Sequence, residues 1–119
     1  MQRKFRLTRS EDFKRVRRFG KSYAHPLLVL VVQACEPGQL HVGVAASRAT
    51  GTAVSRNRAK RLLREAMQTL IPSIRTGWEI LLIARPGIVS RNMFEVREAV
   101  LTLLRRAELI APQIPSNAT

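Results

Sequence analysis

Six residues within nine positions, Arg56, Asn57, Arg58, Lys60, Arg61 and Arg64, are the clearest chemical signal in this sequence. At about 100° per residue, a helix through them sets Asn57, Lys60, Arg61 and Arg64 within about a quarter turn of one another. The opposite side carries an apolar stripe centred on Ala59, Leu63 and Ala66. A guanidinium fork donates two parallel hydrogen bonds to phosphate oxygens, and an asparagine side chain both donates and accepts, which suits a ribose 2′-hydroxyl or a base edge. Arg56 and Arg58 fall near the helix N-terminus, where the macrodipole favours anions and disfavours cations, so arginines are costly there without phosphate. A generic solvated helix interleaves acids for i, i+4 pairing, whereas residues 48–64 hold six Lys and Arg and no acid.

Hydrolytic chemistry is much less visible. Phosphodiester cleavage by a protein needs carboxylates converging on divalent ions, or a histidine pair for acid and base work. The 8 acids are scattered, and the adjacent pair Glu11 and Asp12 is accounted for by its place in the first turn of a helix. His25 and His41 fall at strand edges without an evident partner. Cys35 is the only cysteine, which excludes an internal disulfide and any multi-cysteine zinc site, and it reads as a small apolar residue near a strand end. We therefore expect no catalytic residue, no metal site and no cofactor bound by the protein alone.

The elements that must position the basic residues follow from hydrophobic periodicity. Ser10 reads as a capping serine ahead of a short helix that stops at Gly20, with Phe13, Val16 and Phe19 facing inward. Residues 27–34 are rich in Leu and Val and are followed by the turn Glu36-Pro37-Gly38-Gln39 and by alternating Leu40, Val42, Val44 and Ala46, which predicts an antiparallel hairpin. Over residues 54–71 the set Ala59, Leu62, Leu63, Ala66, Met67 and Leu70 keeps i, i+3, i+4 spacing until Pro72. Residues 78–84 read as a buried strand. Asn92 and Glu95 then cap a last helix carrying Val96, Val100, Leu103, Leu104 and Ala107. The order helix, strand, strand, helix, strand, helix predicts one α+β domain over residues 1–111 and a loose tail over 112–119.

With 119 residues and 45% hydrophobic content, the chain is sized for one packed core. Its 21 Lys and Arg against 8 acids give a net charge of +13, which implies a polyanionic partner. The charge is concentrated: residues 1–21 are net +7, residues 22–47 contain no Lys or Arg, and residues 75–119 are only +2. No apolar run approaches the roughly 18 residues of a spanning helix, and the basic start lacks the apolar stretch of a signal peptide. These features predict a cytoplasmic protein that is not bound to a membrane.

The run Arg56-Asn57-Arg58-Ala59-Lys60-Arg61-Leu62-Leu63-Arg64-Glu65 resembles the signature helix of the bacterial ribonuclease P protein subunit. The resemblance extends through Asp12-Phe13-Lys14-Arg15-Val16 with Gly20, Val42-Gly43-Val44, Ser47-Arg48, Gly51-Thr52-Ala53-Val54 and Ile83-Ala84-Arg85. It implies a sheet packed by helices with a left-handed βαβ crossover, against the usual right-handed rule. It also implies a subunit of an endoribonuclease whose RNA subunit, with Mg²⁺, performs 5′ maturation of tRNA. Arg48, Arg56, Asn57, Arg58, Lys60, Arg61 and Arg64 would then face the catalytic RNA and the precursor tRNA, and the protein would act as a monomer within the ribonucleoprotein. A cleft between the first helix and the sheet would hold the single-stranded 5′ leader, with Phe13 as a stacking platform and Arg17 and Val31 beside it. The family often has an aromatic where Arg17 stands, an aromatic in some members where Val31 stands, and a second basic residue where Ala49 stands, so leader contact here is expected to be more electrostatic.

Two rival readings share the same charge pattern. A ribosomal protein or RNA chaperone would use the basic helix as a structural anchor without turnover. A helix-turn-helix DNA binder needs a short helix ahead of the recognition helix, and strands occupy that place.

Overall fold

Apolar content sets the strand order. The computed structural model describes residues 5–7 and 9–110, in which β1 (Lys21–Ala24), β2 (Leu28–Ala34), β3 (Leu40–Ala46) and β4 (Trp78–Ala84) form one sheet in the order β1-β2-β4-β3. The helices are α1 (Ser10–Phe19), α2 (Ala53–Leu70) and α3 (Met93–Arg106). β4 is the strand most continuously buried on both faces, and it takes the position where it has a neighbour on either side. It pairs antiparallel with β2 from Leu28↔Ala84 to Ala34↔Trp78, and parallel with β3 from Leu40↔Trp78 to Ala46↔Ala84.

The predicted β2–β3 hairpin is therefore corrected: the two strands are antiparallel in direction, but β4 lies between them. The loop over residues 35–39 spans that gap, and the start of β4 bonds to both of its ends. The Cys35 N–H donates to the Gly77 carbonyl (2.8 Å), and the Trp78 N–H donates to the Gln39 carbonyl (3.3 Å). Gly77 turns into β4 at φ +90°, which a side chain would disfavour. The parallel β3–α2–β4 unit implied by the resemblance is present. β1, four residues at the sheet edge, had no apolar alternation by which to be recognised.

The two sheet faces are unequally covered. Leu28, Leu30, Val32, Val42, Val44, Ile80 and Leu82 point to the face packed by α2 and α3, and this is the main core. Val31 and Leu81 point the other way, beneath α1, where among the described residues Leu7 and Val16 are buried with them. Val29, Ala45 and Ile83 on that second face remain half-buried.

Local signals explain most helix ends. Thr52 caps α2, its Oγ1 accepting from the Ser55 N–H (3.2 Å), and Asn92 caps α3, its Oδ1 accepting from the Glu95 N–H (2.9 Å). In α2, Ala59, Leu63, Ala66, Met67 and Leu70 are buried, as the periodicity requires. Ser10 does not cap α1: the cap position is Arg9 and no side-chain cap bond forms. Phe19, expected inside, is 66% exposed, because Gly20 brings the chain against β2 one residue later. A Cβ on Gly20 would stand 2.5 Å from the Val16 carbonyl oxygen and 2.7 Å from Val31 Cγ1, so only glycine fits this approach. The tail over 112–119 lies outside the described residues. Among the described residues no helix is long and apolar enough to cross a membrane.

Candidate nucleic-acid interface

The basic helix is α2, and its buried stripe fixes which cations remain outside. Asn57 and Arg61 are exposed on the far side from the core, and Lys60 and Arg64 are half-buried on the flank towards β3. Arg58 lies on the other flank, where its Nε donates to the Val89 carbonyl (3.3 Å). Arg56, in the first turn, is half-buried. Arg48 is exposed in a short 3-10 turn, Arg48–Thr50, which leads through Gly51 (φ +125°) into the cap of α2. One helix and the turn before it thus present all the predicted RNA-contacting residues, and none of their cations has an acidic ion-pair partner among the described residues.

α1 divides the thinly covered face of the sheet. On one side Arg15 reaches Asp12 (2.6 Å) and also Glu79, which is only 8% exposed, and these ion-paired carboxylates line a cavity of about 310 Å³ with Arg9, Cys35 and His41. These two carboxylates, first in order Asp12 and then Glu79, hold the Arg15 guanidinium above its ordinary value. The other side carries no ion pair among the described residues. Val29, Ile83 and Ala45 lie in register across β2, β4 and β3 as a strip of half-covered apolar surface. Arg17 sits about 40° from Phe13 around α1, on the side away from Asp12, and is exposed beside this strip.

Phe13 lies over β3. A Cβ on Gly43 would stand 2.8 Å from its Cε1, so the ring rests on bare backbone there. Phe13 is half-buried and lines a cavity of about 280 Å³ with Arg6, Leu7, Gly43, Lys60 and Arg64. Phe13 and Arg17 thus keep accessible surface beside α1, whereas Val31 does not. Val31 is 1% exposed and packs with Val16 and Leu81 beneath α1, because α1 crosses the sheet directly over it. Sequence reasoning missed Arg6. It belongs to the strongly basic first 21 residues, but only the parallel bridge Arg6↔Val42, with the Leu7 N–H donating to the Val42 carbonyl (2.7 Å), brings it to α2.

The histidines and the cysteine have structural surroundings. His25 Nδ1 accepts from the Leu27 N–H (3.0 Å), and His41 Nε2 contacts Gln39 Oε1 (3.2 Å). Burial, then the charges of Glu79 and Glu36, push the Cys35 thiol up from its ordinary value.

Comparison with known proteins is concordant. The sequence model of the family described as Ribonuclease P matches residues 1–108. A ribonuclease P protein component of Herpetosiphon aurantiacus is 40% identical over 109 residues, covering 92% of this chain and 89% of the relative. Another, from Symbiobacterium thermophilum, is 40% identical over 111 residues, covering 92% and 96%. The solved RNase P protein from Thermotoga maritima superposes with a TM-score of 0.76 at 28% identity, over 85% of this chain and 96% of that one.

Proposed function

Because the chain belongs to the Ribonuclease P family, as a protein component of the endoribonuclease that matures tRNA 5′ ends, we propose that it binds and positions RNA while the RNA subunit carries the chemistry. The observation that supports this division of labour is the placement of the cations. α2 and the turn before it present Arg48, Arg56, Arg58, Lys60, Arg61 and Arg64 without an acidic ion-pair partner among the described residues, which suits a polyanion with closely spaced phosphates. The acids that approach each other on the neighbouring face, Asp12 and Glu79, are both bound by Arg15 and so are poorly placed as metal ligands. Mg²⁺ in this reading belongs to the RNA, and the protein's cations take over part of the neutralisation that metal otherwise supplies.

The 5′ leader of the precursor lies along the side of α1 opposite the Arg15 ion pairs. Phe13 offers part of its ring to a base, Arg17 supplies charge, and the strip of Val29, Ala45 and Ile83 gives an apolar floor. One copy of the protein in the cytoplasm serves each ribonucleoprotein.

The test is affinity of the reconstituted complex for precursors with leaders of one and of several nucleotides. Lengthening the leader should tighten binding, and Phe13→Ala should remove about 1–3 kcal/mol of that gain. Arg17→Ala should remove a further part that shrinks as salt rises. Equal affinity for all leader lengths would refute the cleft assignment.

A further inference from the structure

Three large apolar side chains stand exposed among the described residues: Phe19, Val54 and Phe94. Phe19 has the Arg18 guanidinium over its ring at 5.3 Å, and Val54 lies in the first turn of the basic helix α2. Phe94, 69% exposed, lies in the first turn of α3 and lines a cavity of about 430 Å³. Pro26, Leu27 and Ala99 give this cavity an apolar lining. Its far wall, the turn between β1 and β2, is braced by three hydrogen bonds. Arg106 Nη1 donates to the Ala24 carbonyl (3.2 Å), Arg85 Nη1 to the His25 carbonyl (3.3 Å), and the Leu27 N–H to His25 Nδ1 (3.0 Å). The groove is therefore preformed, and it is roomy enough for an aromatic ring.

Charge decides what can enter it. The chain carries +13, so a second copy is repelled from most of its surface. Around this groove the balance is reversed: at neutral pH the charged side chains lining it are Arg91 and two acids, Glu95 and Glu98, which disfavour phosphate. Arg91, Phe94 and Glu98 are spaced by three and four residues and so share one stripe of α3. Arg91 reaches Glu95 (3.1 Å) and Glu98 stands 3.7 Å from Arg97, yet the Arg91 and Glu98 side chains stay 50% and 48% exposed. If two α3 helices lie antiparallel about a twofold axis beside Phe94, Arg91 of each comes level with Glu98 of the other, within about one 1.5 Å step of the helix. The stripe is complementary to itself. We propose that this face of α3 pairs two copies of the chain, each Phe94 ring entering the groove of the other over Leu27 and Ala99. No residue of the patch belongs to α2 or to the turn before it, so each copy keeps its own RNA-binding helix. The pairing is independent of the leader reading and joins copies to each other, not two copies to one RNA.

The test is sedimentation equilibrium of the nuclease-treated full chain from micromolar to millimolar concentration, in about 0.4 M salt so that residual RNA does not bridge copies. A monomer–dimer equilibrium is expected. Phe94→Ser should weaken it about 30-fold, as expected for losing a buried aromatic anchor. Arg91→Glu and Glu98→Arg should each weaken it about threefold by setting like charges across the axis, and the two changes together should restore it. This charge swap tests the pairing without touching Phe94. Circular dichroism and affinity for ribonuclease P RNA should stay at the wild-type level in Phe94→Ser. A monomer at every concentration, pairing that ignores Phe94→Ser, or a double variant as weak as either single one would overturn the proposal. Loss of RNA affinity in a folded Phe94→Ser protein would assign the patch to RNA instead and overturn it equally.

Discussion

Replacing Lys60, Arg61 and Arg64 together by alanine should reduce RNA affinity and, more tellingly, its dependence on salt. Each phosphate contact contributes roughly 0.7 to 0.9 to the slope of log affinity against log salt, so three lost contacts lower the slope by about 2 to 2.7. Over a twofold rise in salt, the wild-type protein should then lose about four to six times more affinity than the triple variant. Folding should survive, because Arg61 is exposed, Lys60 and Arg64 are only half-buried, and removing Arg64 relieves its repulsion with Arg6. The assay is binding to ribonuclease P RNA from 0.1 to 0.4 M salt, about a fourfold span that resolves the slope, with circular dichroism as the folding control. An unchanged slope in a folded triple variant would refute the assignment of the basic face.

Leu63, fully buried on the opposite side of α2, should not tolerate charge: Leu63→Asp should abolish cooperative thermal unfolding, and a soluble, cooperatively folded variant would show the helix to be turned the wrong way. Gly20→Ala should destabilise by about 1–3 kcal/mol in urea unfolding, since its Cβ would meet the Val16 carbonyl at 2.5 Å, and a neutral effect would contradict that approach. The Cys35 thiol, its pKa raised by burial first, should stay protonated at pH 7 to 8 and react with iodoacetamide more slowly than an unfolded cysteine. The difference should close as pH rises through the raised pKa, and native alkylation at the unfolded rate near pH 8 would contradict the burial.

What could be read from the sequence was what local periodicity determines. α2 was legible because its apolar spacing and its cations occupy complementary sides, and α3 because Asn92 caps it three residues before Glu95. Strand partnership was not legible. The turn at Pro37-Gly38 joins strands in the same way whether they pair directly or admit β4 between them, and only the burial of β4 on both faces decides. The site followed the same division. Phe13 and Arg17 share a helix side and could be placed together, whereas Val31 points beneath α1, and which residue a crossing helix covers is a tertiary fact. Arg6 joins Lys60 and Arg64 through a single β-bridge across more than fifty positions of sequence, a contact that no local pattern encodes.

The central claim, that this chain contributes to tRNA maturation by supplying cations and a leader cleft and not by cutting RNA itself, is tested most directly by a Mg²⁺ titration of precursor cleavage. Ribonuclease P RNA is assayed with and without the protein on precursors bearing one-nucleotide and longer leaders, with the protein alone as a parallel sample. The protein should lower the Mg²⁺ midpoint, more strongly for the longer leader, because its side chains replace part of the ion atmosphere and hold the strand beside Phe13. Protein alone should cut nothing. Equal stimulation at both leader lengths, or cleavage by the repurified protein without RNA, would contradict the account.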